Sequence, residues 1–271
     1  MAAPAARIEC KPMPSKVLAR PVNYCVVLPP SYDSDKSRKY PVLYFFHGLG
    51  DNEQMFVHGG AFNLVQDLWE RKQIGEFLIA TPEAGATFYI NSHSGKVQYE
   101  NFLLQEFLPA IESRYRVKAG RPSRGVSGVS MGGYGALHLA FRHPELFAAV
   151  SAQSPALMNE IPAVAARSAA NGMRSRVLGE TFGSPADAAF WERHSPISLA
   201  RKANLTGLKI YFDCGEQDDY GFEEGAQSLD KILSSRHIVH EAHIYPGRHD
   251  WQYFAEHLPA ALKFQSDTFA K

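Results

Sequence analysis

The sequence predicts an α/β protein: a mostly parallel central sheet with an N-terminal antiparallel hairpin, helices on both faces, and a helical cap inserted at residues 153–205. Three observations carry that reading. Short apolar runs alternate with segments whose apolar residues recur at helical spacing, as strands buried on both faces beneath helices do. The segment Gly128-Val129-Ser130-Met131-Gly132 stands between one such run and a small-residue helix. An acid-bearing turn and a histidine-bearing turn each follow a late apolar strand. A length of 271 residues, 45% of them hydrophobic, suffices for one full core, and no repeat, low-complexity tract or linker divides it, so residues 1–271 read as a single domain.

The elements follow in order. Residues up to 28 read as two strands joined near Val17-Leu18 and ended by Pro29-Pro30, with a polar loop at Ser31 to Lys39. The apolar run Val42 to Phe46 is the next strand, stopped by the turn-rich His47-Gly48-Leu49-Gly50-Asp51. Phe62, Val65 and Trp69 share one helix face, and Glu76 to Ala80 is a buried strand. Residues 86–97 form an irregular hairpin carrying Tyr89 and Asn91. Leu103, Phe107, Ile111 and Tyr115 make one helical stripe, kinked at Pro109. The strand ending near Ser127 leads into Ser130 and its helix, and Leu146 to Ser151 gives another strand. The cap follows, rich in Ala, Ser and Pro. Leu208 to Asp213 resumes the sheet, then a helix with Phe222, Ala226, Leu229 and Leu233 on one face. Ile238 to Tyr245 is the last strand, and Trp251, Ala255, Leu258 and Leu262 are in register on a closing helix.

Charge and composition exclude several function classes. Lys plus Arg (28) equals Asp plus Glu (28), and no basic stripe appears, which argues against nucleic acid or an anionic membrane surface as a partner. No apolar segment approaches the ~20 residues of a spanning helix. The start, Met1-Ala2-Ala3-Pro4-Ala5-Ala6, lacks the apolar region of an intact signal peptide and reads as a mature start. None of the spacings among Cys10, Cys25 and Cys214 suits a zinc site. A hairpin centred at Val17-Leu18 sets Cys10 opposite Cys25, so a disulfide and a pair of reduced buried thiols are the two readings there.

Strand, Gly-x-Ser-x-Gly, helix is the pattern of a nucleophile elbow, and in the α/β-hydrolase fold the triad partners follow in the order serine, acid, histidine. Cys214-Gly215-Glu216-Gln217-Asp218-Asp219 and Pro246-Gly247-Arg248-His249-Asp250-Trp251 supply an acid and a histidine in that order, each just past a strand's carboxyl end. Ser130 is the expected nucleophile, His249 its base, and Asp218 the acid that orients the base, with Asp213 and Asp219 as structural neighbours. Oxyanion donors are expected at the Met131 N–H and in the His47–Gly50 turn, at the Leu49 N–H. His47 itself reads as a scaffold residue of that turn. His237, His240, His243 and His257 lie on or beside the last strand and on the final helix. Glu53 and Glu100 read as solvated carboxylates. Tyr89, Trp191, Tyr220 and Phe222 are candidates for an aromatic acyl pocket, with plain core packing as the alternative.

His47-Gly-Leu-Gly-Asp-Asn-Glu53, Gly-Val-Ser130-Met131-Gly-Gly-Tyr-Gly-Ala, Cys214-Gly-Glu-Gln-Asp218 and Gly-Arg-His249-Asp-Trp251 together resemble the esterase D-like family. That family includes feruloyl and acetylxylan esterases, S-formylglutathione hydrolases and the mycobacterial mycolyltransferases. The resemblance runs from about residue 17 to residue 262. It implies that the acid lies three residues after the glycine of the Cys-Gly turn, favouring Asp218 over Asp219. It also implies that Leu49, after the first glycine of the His-Gly turn, is the second oxyanion donor, and that residues 153–205 help shape the acyl pocket.

The expected function is a serine carboxylesterase acting through an acyl-enzyme on small or aromatic acyl esters, most specifically a feruloyl-type esterase of plant cell-wall material. An S-formylglutathione hydrolase is the second reading, weakened because its usual Ser-Gly-Leu-Thr-Cys turn is His-Gly-Leu-Gly-Asp here. An acyltransferase of the same family is a third, and a non-catalytic hydrolase-fold binding protein stands in a different class. No metal or organic cofactor is implied; the partner is a small-molecule or carbohydrate-linked ester, and oligomeric state is left open. The cysteine pair and the N-terminus point to a secreted or periplasmic protein, whereas an S-formylglutathione hydrolase would be cytoplasmic.

Overall fold

A computed structural model describes residues 5–160 and 173–269. β1 (Arg7–Ser15) turns through Lys16–Ala19 into β2 (Arg20–Leu28) as an antiparallel hairpin. Cys10 stands opposite Cys25 with Cα atoms 4.1 Å apart, and a disulfide joins them; Cys214 is buried and free. The remaining strands are β3 (Val42–Phe46), β4 (Leu78–Pro82), β5 (Arg124–Val129), β6 (Ala149–Gln153), β7 (Lys209–Gly215) and β8 (Glu241–Tyr245). Among the described residues they form one eight-stranded sheet in the order β1-β2-β4-β3-β5-β6-β7-β8. β2 meets β4 antiparallel, and every pairing from β4 to β8 is parallel. Strand order reverses at β3, which lies between β4 and β5. Such a switch point opens a crevice at the carboxyl ends of the strands.

Ten helices cover the sheet: α1 (Met55–His58), α2 (Ala61–Glu70), α3 (Tyr99–Phe102), α4 (Leu108–Arg114), α5 (Met131–Arg142), α6 (Met173–Phe182), α7 (Ala188–His194), α8 (Pro196–Ala200), α9 (Phe222–Ser235) and α10 (Trp251–Phe269), all among the described residues. β3 shows why the strands read as unbroken apolar runs. Val42, Tyr44 and Phe46 pack with α3 to α9, while Leu43 and Phe45 face α1, α2 and α10, so alternate side chains enter different cores. Each fully buried side chain of that kind contributes about 1.5–3 kcal/mol. No helix among the described residues is long and apolar enough to cross a membrane.

Five elements differ from the sequence reading. The stripe from Leu103 is broken by a π turn at Leu103–Phe107, where the Leu108 N–H donates to the Leu103 carbonyl; the looser turn comes just ahead of Pro109, whose ring a continuous α-helix would crowd. β6 runs to Gln153 and β8 begins only at Glu241. On α10 the buried residues include Tyr253, Leu258, Ala261 and Leu262, whereas Trp251 is 40% exposed. The inserted segment is not a separate cap throughout: Phe190, Trp191, Ile197 and Ala200 of α7 and α8 belong to the main core. Residues 161–172 of that cap lie outside the described residues.

Candidate active site

Ser130 is the single residue between β5 and α5, held at φ 54°, ψ −118°, a conformation costly for a side-chain-bearing residue by about 1–3 kcal/mol. The surroundings over-determine it. Its N–H donates to the Gln153 carbonyl (2.9 Å), and its own carbonyl accepts from the Tyr134 and Ala156 N–H groups (both 3.0 Å). The flanking glycines are steric requirements: a Cβ on Gly132 would lie 2.0 Å from the Phe46 carbonyl oxygen, and one on Gly128 would lie 2.4 Å from Gly132 backbone.

Asp218 follows β7 and His249 follows β8, so parallel neighbours deliver both to the same end of the sheet. His249 Nε2 lies 2.8 Å from Ser130 Oγ, and His249 Nδ1 lies 2.6 Å from Asp218 Oδ2. With Nδ1–H donating to the carboxylate, Nε2 is the ring nitrogen free to accept the Ser130 hydroxyl proton. Asp218 Oδ1 also accepts from the Tyr220 N–H (3.0 Å), and Oδ2 from the Cys214 thiol (3.6 Å). Burial alone would raise the Asp218 carboxyl, but the hydrogen bond and charge of His249 outweigh it and hold the group below its ordinary value. Asp219 instead takes the Arg248 guanidinium and the His249 backbone N–H (3.2 Å), fixing the loop rather than the ring. Tyr220, Phe222 and Phe254 meet the imidazole edge-on, with centroids 4.9, 5.5 and 5.3 Å away.

The His47 turn closes over Ser130; a Cβ on Gly48 would sit 3.5 Å from Ser130 Cβ. His47 is buried and acts as that turn's brace. Its Nδ1–H donates to the Gly48 carbonyl (2.8 Å), its Nε2 accepts from the Ala84 N–H (3.0 Å), and burial lowers its pKa so that it stays neutral. Leu49 and Met131 both line the cavity beside Ser130, and Met131 opens α5, where an N–H has no intrahelical acceptor.

That cavity measures about 490 Å³ and has predominantly apolar walls, including Phe88, Met158, Val177, Leu178, Phe222 and Phe254, with Leu49, Tyr220 and Trp251 exposed at 38–52%. Tyr220 and Phe222 therefore stand where the sequence reading put them. Tyr89 and Trp191 do not. Tyr89 is fully buried, stacked 4.1 Å from Phe46, and donates its hydroxyl to the His47 carbonyl; Trp191 packs edge-on against Phe182 in the core. Glu53 and Glu100 are not solvated either, at 5% and 3% exposure. Glu100 gathers His138, Arg142 and His143; burial opposes its charge, but those hydrogen bonds prevail and lower its pKa. His257 stacks on Tyr245, and His240 pairs with Asp230. Trp251 and Phe254 had a signal in their spacing after His249; Val177 and Leu178 had none. No group of three or more His, Cys, Asp or Glu among the described residues could hold a metal ion.

A family model described as "Putative esterase" matches residues 15–265. An esterase of Mycobacterium tuberculosis is 32% identical over 244 residues, covering 83% of this chain and 51% of its own; the chain thus spans about half the length of that relative. An acetyl esterase of Caldicellulosiruptor saccharolyticus is 24% identical over 93% of this chain and 95% of its own. Among solved structures, a ferulic acid esterase superposes with a TM-score of 0.83 at 26% identity, covering 98% of this chain and 99% of that one. An S-formylglutathione hydrolase from Agrobacterium tumefaciens gives 0.77 at 19% identity over 99% and 98%, a likeness of fold.

Proposed function

This chain belongs to the esterase family, and from that premise we propose that it is a serine carboxylesterase whose nucleophile is Ser130, with His249 as base and Asp218 as orienting acid. The observation that carries the proposal is the unbroken chain of hydrogen bonds Ser130 Oγ, His249 Nε2, His249 Nδ1, Asp218 Oδ2, at 2.8 and 2.6 Å. Ser130 Oγ attacks the ester carbonyl carbon while His249 Nε2 takes its proton. The tetrahedral oxyanion is received by the Met131 and Leu49 N–H groups, each contributing about 3–4 kcal/mol to the transition state. Collapse breaks the bond to the alkoxy oxygen, which leaves as the alcohol with the proton from His249. A water molecule then repeats the sequence on the acyl-enzyme and frees the acid and Ser130.

The acyl group we assign is aromatic, of the feruloyl type. An apolar cavity of about 490 Å³ ringed by Phe88, Phe222 and Phe254 supports it, as does the likeness to a ferulic acid esterase. The Cys10–Cys25 disulfide supports an oxidising compartment, hence a secreted or periplasmic protein. Comparing kcat/KM for methyl ferulate, 4-nitrophenyl acetate and S-formylglutathione tests the assignment, with Ser130→Ala as control. Methyl ferulate is expected to exceed S-formylglutathione by at least about tenfold, and Ser130→Ala to lose turnover on all three. A preference for the thioester would overturn the acyl assignment, and turnover by Ser130→Ala within tenfold of the parent would overturn the nucleophile.

A further inference from the structure

Beneath the His249 loop lies a buried polar row that the proposed mechanism does not use. Gln153 of β6 and Asp213 of β7 are register neighbours on adjacent parallel strands, and both are 0% exposed. Each holds the first turn of α10. Asp213 Oδ1 accepts from the Tyr253 hydroxyl (2.8 Å), and Gln153 Nε2 donates to the Phe254 carbonyl (3.3 Å). Tyr253 in turn packs on the loop, since a Cβ on Gly247 would lie 2.6 Å from its ring, and Phe254 meets the His249 imidazole edge-on. The remaining oxygens of the two residues, Asp213 Oδ2 and Gln153 Oε1, are both buried without a hydrogen-bond partner, as is the Tyr211 hydroxyl on the same strand. Asp213 Oδ2 and Gln153 Oε1 belong to register neighbours, and leaving two buried acceptors unpaired is costly; a proton carried on Asp213 would give both a partner.

We propose that Asp213 is a positioning residue for the His249 loop and works as a neutral carboxylic acid, its Oδ2–H donating to Gln153 Oε1 while its Oδ1 accepts from Tyr253. The proposal rests on the serine-esterase reading for its kinetic consequence only. Burial supports the neutral form, pushing the Asp213 carboxyl up to about 7 against the pull of the Tyr253 and Tyr211 hydroxyls, which favour the carboxylate. The titratable groups around it are Tyr211 on its own strand, Tyr253 and His257 from α10, and His243 and Tyr245 from β8; His243, its register neighbour, packs its ring with Tyr211 and Tyr245 and makes no hydrogen bond to Oδ2.

Two substitutions separate the neutral acid from a carboxylate. Asp213→Asn keeps the shape and supplies an N–H for Gln153 Oε1, so kcat on an activated ester should stay within about threefold of the parent. Asp213→Leu keeps the bulk but frees Tyr253, and kcat should fall at least about tenfold with KM within about twofold. Infrared difference spectra of the intact protein against Asp213→Asn give a readout independent of turnover: a protonated-carboxyl carbonyl band at pH 5 that titrates away near pH 7. Asp213→Asn falling as far as Asp213→Leu, Asp213→Leu retaining kcat, or no protonated band at pH 5 would each overturn the proposal. A protein that turns over no ester but shows the band would sink the esterase reading and leave the proton assignment standing.

Discussion

Ser130 and Asp218 lie 119 and 31 positions from His249 in sequence, yet each meets its ring within hydrogen-bond distance. They were legible because each occupies a turn whose residue types have few other uses: a serine between glycines, an acid and a histidine just beyond strand ends. The choice between Asp218 and Asp219 is where geometry adds most, since both touch His249, one at the ring and one at the backbone. Asp218→Asn should lower kcat by about 10⁴, because the amide stabilises the wrong imidazole tautomer. Asp219→Asn should cost less than about tenfold, since it loosens an exposed ion pair with Arg248 and a hydrogen bond to the His249 backbone without touching the ring. Steady-state kinetics on 4-nitrophenyl acetate reads both. The aromatic candidates were less legible. Tyr89, Trp191, Tyr220 and Phe222 look alike in sequence, and only Tyr220 and Phe222 are tied by proximity to Asp218; the other two fill core positions that any α/β layer needs.

At the scale of elements, the β5–α5 elbow depends on backbone passing where a methyl group would not fit. Gly132→Ala drives a Cβ into the Phe46 and His47 carbonyls and should cost about 3 kcal/mol or more in urea unfolding, or prevent folding. The hairpin carries a different kind of support. Its Cys10–Cys25 bridge closes a separation of 15 residues, so the Cys10→Ser, Cys25→Ser double variant should lose about 3 kcal/mol, read by the same unfolding experiment under non-reducing conditions. Strand and helix existence followed from periodicity, whereas ends and faces did not. Trp251 has the spacing of a core residue on α10, but lying two positions after His249 it is drawn to the cavity's rim instead, and Tyr253 takes the buried place. The π turn before Pro109 likewise leaves no mark beyond the proline itself.

Over the whole molecule, the reversal of strand order at β3 explains why the His47 turn and Ser130 face each other: they end adjacent parallel strands, β3 and β5. Two buried carboxyls, one on β7 and one on the loop that follows it, should give the stability profile opposite slopes. Asp218, held below its ordinary value, contributes stability that is present above about pH 4 and is lost as pH falls further. Asp213, raised from 3.8 to about 7, binds its proton more tightly folded than unfolded, so stability should decline as pH climbs from about 4 to about 7 and level off above. Asp213→Asn should flatten that decline in thermal melts between pH 4 and 8 while leaving the acid limb in place. The central claim, that one serine per chain is an activated nucleophile, is met most directly by the intact mass of the folded protein after a fluorophosphonate probe, with peptide mapping. One adduct per chain on Ser130, and none in Ser130→Ala, is the predicted result; an unlabelled protein, or an adduct on another residue, would contradict it.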